Sequence, residues 1–412
     1  MKFSEYHFTP EIIKNLEMMG FKKPTDIQYK SIPAIVKGED LLAIAQTGTG
    51  KTAAFAIPII NYIQKKKKNN KESVIRALVM VPTRELAQQI AEVFYKIGKG
   101  TKVKTLALYG GVEQEGQIDK LLSGVDVLVT TPGRMFDLHN QEYVNLDKVN
   151  TLVLDEADHM LDLGFIKDIE DVIARMPKMR QTLFFSATIN KKIKKIAYDL
   201  IRSNAIRIQI APKDPVSKNI KHSVAFIKMD DKRFFLERLI KENPDKKILV
   251  FVRTKVRAER VKKAMDRVEV VSETIHGDKE QKARTSVMSK FRTGEVKILI
   301  ATDVSARGID IANVDYVVNY DMPDVAENYV HRIGRTGRGR LKGDAVSFCA
   351  KEEKPLLKEI EEFVGKPIKE LELKQTEYRK TVDFSEDTNL SIKELMGQID
   401  DINNKTKKRK KK

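Results

Sequence analysis

The stretch Thr151-Leu152-Val153-Leu154-Asp155-Glu156-Ala157-Asp158 decides the fold. A short run of this kind, without polar alternation, reads as a strand buried on both faces, as in the parallel sheets of α/β proteins. Carboxylates placed directly after it emerge at the carboxyl edge of the sheet, where open α/β sheets take their ligands. Upstream, a second run, Asp40-Leu41-Leu42-Ala43-Ile44, leads into the Gly-rich loop Ala45-Gln46-Thr47-Gly48-Thr49-Gly50-Lys51-Thr52. Two strand ends would thus bring a phosphate cradle and a magnesium-holding carboxylate together, the minimum apparatus of a nucleoside triphosphatase.

Similar runs recur along the whole chain. In the first half they include Leu41–Ala45, Ala77–Val81, Val125–Val129, Thr151–Leu154 and Thr182–Phe185. In the second they include Ile248–Val252, Val268–Val271, Val296–Ala301, Tyr316–Asn319 and Ala345–Phe348. Strands separated by helix-length segments imply an α/β class with doubly wound parallel sheets. The 412 residues exceed one ordinary core, so two domains of roughly 150–200 residues are expected. The segment 209–218 carries two prolines and no helical period and reads as the linker, which places domains at 1–208 and 219–368. Two such domains on a short linker suggest a cleft that opens and closes.

Composition narrows the class. Hydrophobic residues make up 41%, which supports globular folding. No apolar stretch approaches the roughly 20 residues a bilayer-spanning helix needs, and residues 1–10 carry no apolar signal core. With a single cysteine, Cys349, neither an internal disulfide nor a cysteine-built metal site can form, and Ala345–Cys349 reads as a buried strand. The expected setting is the reducing cytoplasm. Lys and Arg number 76 against 58 Asp and Glu, a net charge of +18. That excess favours a polyanion held through salt-dependent phosphate contacts, although lysine-rich surfaces also serve solubility alone. From Lys369 onward apolar content falls, and Lys405-Thr406-Lys407-Lys408-Arg409-Lys410-Lys411-Lys412 holds seven cations in eight residues. Residues 369–412 are therefore expected to be a disordered basic tail, an RNA tether or a solvated end. The run Lys65-Lys66-Lys67-Lys68 is expected to be a solvated loop.

Specific residues carry the chemistry. Gly48 and Gly50 let backbone amides approach phosphates, and the following helix adds its positive end. Lys51 would reach the β- and γ-phosphates, and the Thr52 hydroxyl would coordinate Mg2+. The strict loop pattern has Gly where Ala45 stands. Asp155 would hold Mg2+ and Glu156 would orient and deprotonate an attacking water, which favours hydrolysis over group transfer. Neighbouring acids are usually surface charge; the preceding strand and the phosphate loop reverse that reading. The second half has no phosphate loop. It offers His331-Arg332-Ile333-Gly334-Arg335-Thr336-Gly337-Arg338-Gly339-Arg340, arginines on poor helix material, suited to pressing against anions. Such residues serve as arginine fingers or as a plain phosphate patch.

These motifs resemble the DEAD-box ATP-dependent RNA helicases over residues 3–350, in the family's order. The resemblance implies two tandem RecA-like domains, ATP with Mg2+, and RNA. Gly20-Phe21-Lys22-Lys23-Pro24-Thr25-Asp26-Ile27-Gln28, with Phe3 upstream, looks like the Q motif, in which Gln28 reads the adenine edge and the aromatic stacks on it. The family commonly accepts Ala at position 45. Ser186-Ala187-Thr188 resembles the motif that couples hydrolysis to strand separation; Asp158 and His331 match positions that link the domains around it. Asp303 matches a ribose contact, and Arg335 and Arg338 match the fingers.

For RNA, the resemblance points to Pro82-Thr83-Arg84, Gly110-Gly111 and Thr131-Pro132-Gly133-Arg134 in the first domain. In the second it points to Arg253-Thr254, Gln281 with Arg284, and Thr302 to Gly308 with Arg307. Hydroxyls, helix-start amides and arginines hold phosphates without reading bases, so RNA is expected to be bound mainly through its backbone. His7, His139, His159, His222 and His276 show no metal spacing and are expected to be structural or exposed. Short ends resemble bacterial members acting in ribosome assembly and RNA turnover, with ribosomal particles or RNA-turnover proteins as partners. A nonprocessive helicase leads, an ATP-dependent RNA clamp is the alternative, and a DNA translocase would respond equally to DNA, which lacks the 2′-hydroxyl. A small-molecule kinase fits the phosphate loop but not 331–338.

Overall fold

The buried runs become strands because each is apolar on both sides, and each feeds two cores at once. The computed structural model describes residues 2–46, 48–67, 74–189, 191–210, 216–303, 311, 314–337 and 342–382. It divides into two compact units, the first extending through Ile210 and the second beginning at Val216 among the described residues.

The first unit holds β1 (Leu41–Ile44), β2 (Ala77–Met80), β3 (Thr105–Leu108), β4 (Val127–Thr130), β5 (Thr151–Leu154), β6 (Gln181–Ser186) and β7 (Ile206–Gln209). They form one sheet in the order β3-β4-β2-β5-β6-β1-β7, every pair parallel. Leu41, Ala43, Val79, Val153 and Phe185 point into one core with Phe55 and Ile57, whereas Leu42, Ile44, Met80, Leu154 and Phe184 point into the other with Met135 and Met160. Around them run α1 (Pro10–Met18), α2 (Asp26–Val36), α3 (Lys51–Lys67), α4 (Arg84–Gly98), α5 (Glu115–Leu122), α6 (Pro132–Asn140), α7 (Ala157–Asp162), α8 (Ile166–Ala174) and α9 (Lys191–Leu200). Burying a Leu or Val side chain is worth about 1.5–3 kcal/mol, so the run 151–154 has no solvent-facing alternative.

The second unit repeats the plan with β8 (Ile220–Phe226), β9 (Ile248–Val252), β10 (Ser272–Ile275), β11 (Ile298–Thr302), β12 (Tyr316–Asn319), β13 (Gly343–Cys349) and β14 (Lys369–Glu370), ordered β10-β11-β9-β12-β13-β8-β14. Its helices are α10 (Lys232–Glu242), α11 (Lys255–Asp266), α12 (Gln281–Thr293), α13 (Ala326–Ile333), α14 (Lys354–Val364) and α15 (375–382). Cys349 is buried in β13, and burial pushes its thiol up to about 11.

Four expectations change. Val268–Val271 is not a strand: α11 ends in a turn in which Glu269 takes a left-handed backbone, and the strand is the next segment, Ser272–Ile275. The expected linker begins too early, since Ile206–Gln209 pairs with β1, Gln209 opposite Ile44; residues 211–215 lie outside the described ones. Lys65, Lys66 and Lys67 belong to α3, where cations suit the negative helix end. Lys67 is buried and paired with Asp126 at 2.7 Å. The tail starts later than 369: β14 pairs with β8, and α15 docks Tyr378 against Phe235 at 4.9 Å, its hydroxyl donating to Asp231 at 2.7 Å. Residues 383–412, with the cationic end, lie outside the described residues.

Candidate active site

The phosphate loop leaves β1 at Ala45 and enters α3 at Lys51. Gly48 and Gly50 have φ of 81° and 95°, a left-handed region costly for any side chain. A Cβ on Gly50 would stand 2.5 Å from Gln28 Nε2, so the close approach also requires glycine. The loop is closed by its neighbours. Lys51 Nζ donates to the Ala45 carbonyl at 2.8 Å, Thr49 Oγ1 to Gln46 O at 2.7 Å, and Thr25 Oγ1 to Thr49 O at 2.8 Å. Thr52 lies half-buried in the first turn of α3; Thr47 is outside the described residues.

Gln28 is buried, with both ends of its amide engaged: Nε2 donates to Gly50 O at 3.1 Å, and Oε1 accepts from Thr25 N at 3.0 Å. Thr25 and Gln28 thus form the capping box of α2 while holding the loop. The Thr-x-x-Gln spacing is the sequence signal of that structural role. Phe3 is buried edge-on to Phe21, ring centroids 6.0 Å apart, and Phe21 is the more open of the two.

The carboxylates follow β5. Burial pushes Asp155 up to about 6, against the pull of the Lys51 cation and with the charges of Glu156 and Asp158 adding to the rise. Its Oδ1 accepts from Glu156 N at 3.0 Å. Glu156 has φ 53° and ψ 47°, a left-handed conformation that costs a non-glycine residue about 1–3 kcal/mol and that gathers at functional sites. His159, expected to be structural or exposed, is buried with Nδ1 3.5 Å from Glu156 Oε2. No sequence signal distinguished it beyond its helical spacing from Glu156. His276 is also buried, its Nε2 2.8 Å from Glu259 Oε1.

Asp158 ties this strand end to the next. Its Oδ2 accepts from Ala187 N at 3.1 Å, Thr188 N at 2.9 Å and Thr188 Oγ1 at 3.0 Å. Ser186 Oγ donates to Thr188 O at 2.9 Å. Among the described residues no three His, Cys, Asp or Glu side chains converge to hold a metal unaided.

The other half of the same edge holds the expected phosphate binders. Thr83 caps α4, its Oγ1 accepting from Leu86 N at 3.3 Å, and Pro82 precedes it. Gly111 has φ 79°, and a Cβ there would overlap the Arg84 guanidinium. Thr131 stands at the N-cap of α6 with Pro132 in its first turn and Gly133 next. Arg134 Nη2 donates to Val112 O at 2.9 Å, while its Nη1 is buried without a hydrogen-bond partner.

In the second unit, Arg253 follows β9 with its guanidinium held by Asp324 at 3.0 Å and Glu353 at 3.4 Å, and Thr254 caps α11. Gln281 is buried at the start of α12, and Arg284 lies on the same helix face. Thr302 ends β11; Asp303 gives both oxygens to Arg332, each at 2.6 Å. Arg332 is 2% exposed and also donates to Asp321 O at 2.7 Å, which fixes α13 against the sheet. Nothing in the sequence sets Arg332 apart from its neighbours, because burial leaves no mark on an Arg-Gly run. His331 is half-buried on α13 and Arg335 is buried beyond its end; Arg307, Gly308 and Arg338 lie outside the described residues.

A phosphate loop after one strand, a carboxylate pair after another and a clasp to a third, all on one parallel sheet edge, define a RecA-like nucleoside triphosphatase domain, and the chain holds a second domain of the same plan. A DEAD/DEAH box helicase family model matches residues 25–196, and the helicase conserved C-terminal domain matches 231–340. The ATP-dependent RNA helicase CshA of Listeria monocytogenes is 43% identical over 373 residues, 90% of this chain and 70% of that protein. CshA of Geobacillus kaustophilus is 43% identical over 361 residues, 87% of this chain and 76% of its own length. Among solved structures, S. cerevisiae Dbp5 bound to RNA and ADP BeF3 matches with TM-score 0.81 and 31% identity, covering 95% of this chain and 99% of that one. Mss116p bound to ssRNA and AMP-PNP matches at TM-score 0.81 and 30% identity, covering 92% and 80%. The chain belongs to the DEAD-box ATP-dependent RNA helicases.

Proposed function

We propose that this helicase uses ATP hydrolysis to separate short RNA duplexes or remodel RNA–protein complexes, gripping RNA by its backbone. The observation that carries the reading is the Asp158 clasp, which makes the strand end bearing Asp155 and Glu156 one hydrogen-bonded unit with the turn 186–188. A change at the phosphate is thereby felt at the Ser-Ala-Thr turn.

In this reading the adenine lies against Phe21 and Gln28, the triphosphate replaces Ala45 O as the partner of Lys51, and the amides of 46–50 receive its oxygens. Phe3 supports the aromatic wall. The residues fit Mg2+: Asp155 is a buried carboxylate beside two further acidic groups, and Thr52 offers a hydroxyl one residue beyond Lys51. Mg2+ keeps several waters and takes phosphate oxygens, so two protein groups suffice, and when bound it neutralises charge on the β- and γ-phosphates. Glu156 accepts a proton from the attacking water as its oxygen bonds to the γ-phosphorus and ADP leaves. Arg335 and Arg338 supply finger charge, and Asp303 the ribose contact, when the domains close on ATP and RNA; His331 joins the coupling turn.

RNA phosphates are held by Thr83, Arg84, the Gly110-Gly111 turn and Thr131 to Arg134 on one domain. On the other they are held by Arg253, Thr254, Gln281, Arg284, Thr302, Arg307 and Gly308. A cytoplasmic setting with roles in ribosome assembly or RNA turnover follows from analogy with bacterial members. Among the described residues no helix is long and apolar enough to cross a membrane.

The test is steady-state ATP hydrolysis without nucleic acid, with single-stranded RNA, and with DNA of the same sequence. Strong stimulation by RNA alone is expected; equal rates in all three would overturn the coupling. RNA held long after hydrolysis, with duplex left intact, would favour the clamp.

A further inference from the structure

The amino edge of the first sheet carries a second feature. Where β5 and β6 begin, the ends of α2 and α3 frame a cavity of about 700 Å³. Strands of four and six residues rising about 3.3 Å per residue set it roughly 13–20 Å from the carboxylates at their other end. The volume lies in the range of sites that enclose a small ligand or a side-chain anchor.

Its described lining contains five cations, Lys37, Lys65, Lys66, Arg180 and Arg202, and no carboxylate. Arg202 is neutralised by Asp40 at 2.7 Å, whose charge also acts on Arg180. Among the described residues no carboxylate lies within ion-pair distance of Lys37, Lys65 or Lys66. Arg180 donates Nη1 to Pro177 O, and its Nε is buried with no hydrogen-bond partner. Beneath the cations lie Ile35, Pro58 and Ile59. At the rim Met179 is 84% exposed, beside exposed Val36 and Tyr62.

RNA phosphates could supply the anion, but a sugar–phosphate backbone offers nothing apolar to cover the aliphatic floor and the exposed Met179. Tyr62 is the one ring in the described lining; Lys66 Nζ stands over it at 5.8 Å, and its hydroxyl accepts from Asn150 at 3.2 Å. The surroundings are instead aliphatic and thioether, the materials of protein contacts. We propose that this cavity docks an acidic peptide segment of a partner protein, its aliphatic side chain on Ile35 and Ile59 and its carboxylates on Arg180, Lys37 and Lys66. Because it lies on the edge away from the phosphate loop, docking there recruits the helicase without occupying the site of hydrolysis.

The probe is a displayed library of random 12-residue peptides selected on the full-length protein and counter-selected on Lys37→Glu/Lys66→Glu, two exposed positions outside the catalytic machinery. RNA-stimulated turnover of that variant should stay within twofold of wild type, which shows that it folds. Support is an enriched consensus of Asp or Glu flanking an aliphatic residue, with affinity at least tenfold weaker on the double variant and on Met179→Asp, and not displaced by a 12-nucleotide RNA. No enrichment, enrichment equal on both proteins, or displacement by RNA whose own affinity falls tenfold in the variant would each overturn the proposal. The last outcome would make the cavity an RNA site.

Discussion

Gly111→Ala isolates one of the proposed RNA contacts. Gly111 sits at φ 79°, and an added Cβ would overlap the guanidinium of Arg84. Two effects follow. A left-handed backbone costs an alanine about 1–2 kcal/mol, and for a unit of this size each kcal/mol lowers Tm by roughly 2–4 °C. The clash itself is cheap to relieve, because the obstructing atoms are the far end of a flexible side chain: Arg84 swings away. If Arg84 holds a phosphate, RNA affinity falls by about tenfold for a loss near 1.4 kcal/mol, and the dependence of binding on salt loses about one phosphate. ATP affinity should hold, since β3 and the phosphate loop lie on opposite halves of the sheet. Arg84→Ala should match the RNA loss without the drop in Tm. The decisive measurement is the double variant, by fluorescence anisotropy on labelled single-stranded RNA at several salt concentrations. Both changes act through one guanidinium, so the double variant should bind RNA no worse than Arg84→Ala alone. Losses that simply add would refute the reasoning, since the added methyl would then weaken RNA binding by a route other than the Arg84 guanidinium.

Glu156→Gln should cut RNA-stimulated ATP turnover by about 10²–10⁴-fold while ATP-dependent RNA binding survives, and full turnover would move the proton acceptor elsewhere. Arg332→Ala removes a buried guanidinium with its two bonds to Asp303 and one to Asp321 O, and should cost about 3–5 kcal/mol in the urea unfolding of the second unit. Asp40 accepts from Thr182 N at 2.9 Å and Arg202 N at 2.8 Å, and with its Arg202 ion pair these bonds hold its pKa below the usual range despite burial. Asp40→Asn should therefore destabilise by about 2–3 kcal/mol near neutrality. A group with a lowered folded pKa contributes fully above its unfolded value near 3.9 and loses that contribution as pH falls through the folded one, so variant and wild type should converge only below about pH 4. Truncation after Val382 should leave the second unit's unfolding unchanged but reduce RNA affinity and its salt slope, whereas truncation after Ile368 should also destabilise that unit, because it removes β14 and Tyr378.

What could be read from sequence followed burial. The central strands, 41–44, 77–80, 151–154, 248–252 and 298–302, are covered on both faces and so are apolar except for Thr151 and Thr302 at their ends. Edge strands are not: Thr105–Leu108 alternates, Ile206–Gln209 buries only Ile208, and in Ser272–Ile275 only Ile275 is apolar. In β10 the polarity is satisfied inside the fold, Thr274 Oγ1 donating to Glu259 at 2.6 Å, a pairing across 15 residues that no local pattern announces. Val268–Val271 misled for the converse reason. Valines suit strands, but two of these pack on the core from a turn while Val271 is exposed. Within the site, the motif residues with short-range tasks were legible. Arg332 and His159 act through burial against partners elsewhere, Asp303 across 29 residues and Glu156 across one helical turn.

The first sheet explains why one domain can join two tasks. Its order places β5, β6 and β1 side by side, so the phosphate loop, the carboxylates and the Ser-Ala-Thr turn come from adjacent strand ends. The three loops proposed to grip RNA phosphates follow β2, β3 and β4 on the other half, and β2 is the neighbour of β5. The junction is direct: Asp155 N donates to Met80 O at 3.1 Å, at the end of the strand that leads to Thr83 and Arg84. A displacement of the buried Asp155 therefore has two rigid routes outward, through Met80 to the Arg84 loop and through the neighbouring Asp158 to Thr188. Cutting the second, with Asp158→Ala, removes three charge-assisted hydrogen bonds but leaves the first intact. If both routes matter, that variant keeps RNA affinity and ATP affinity yet loses the dependence of one on the other.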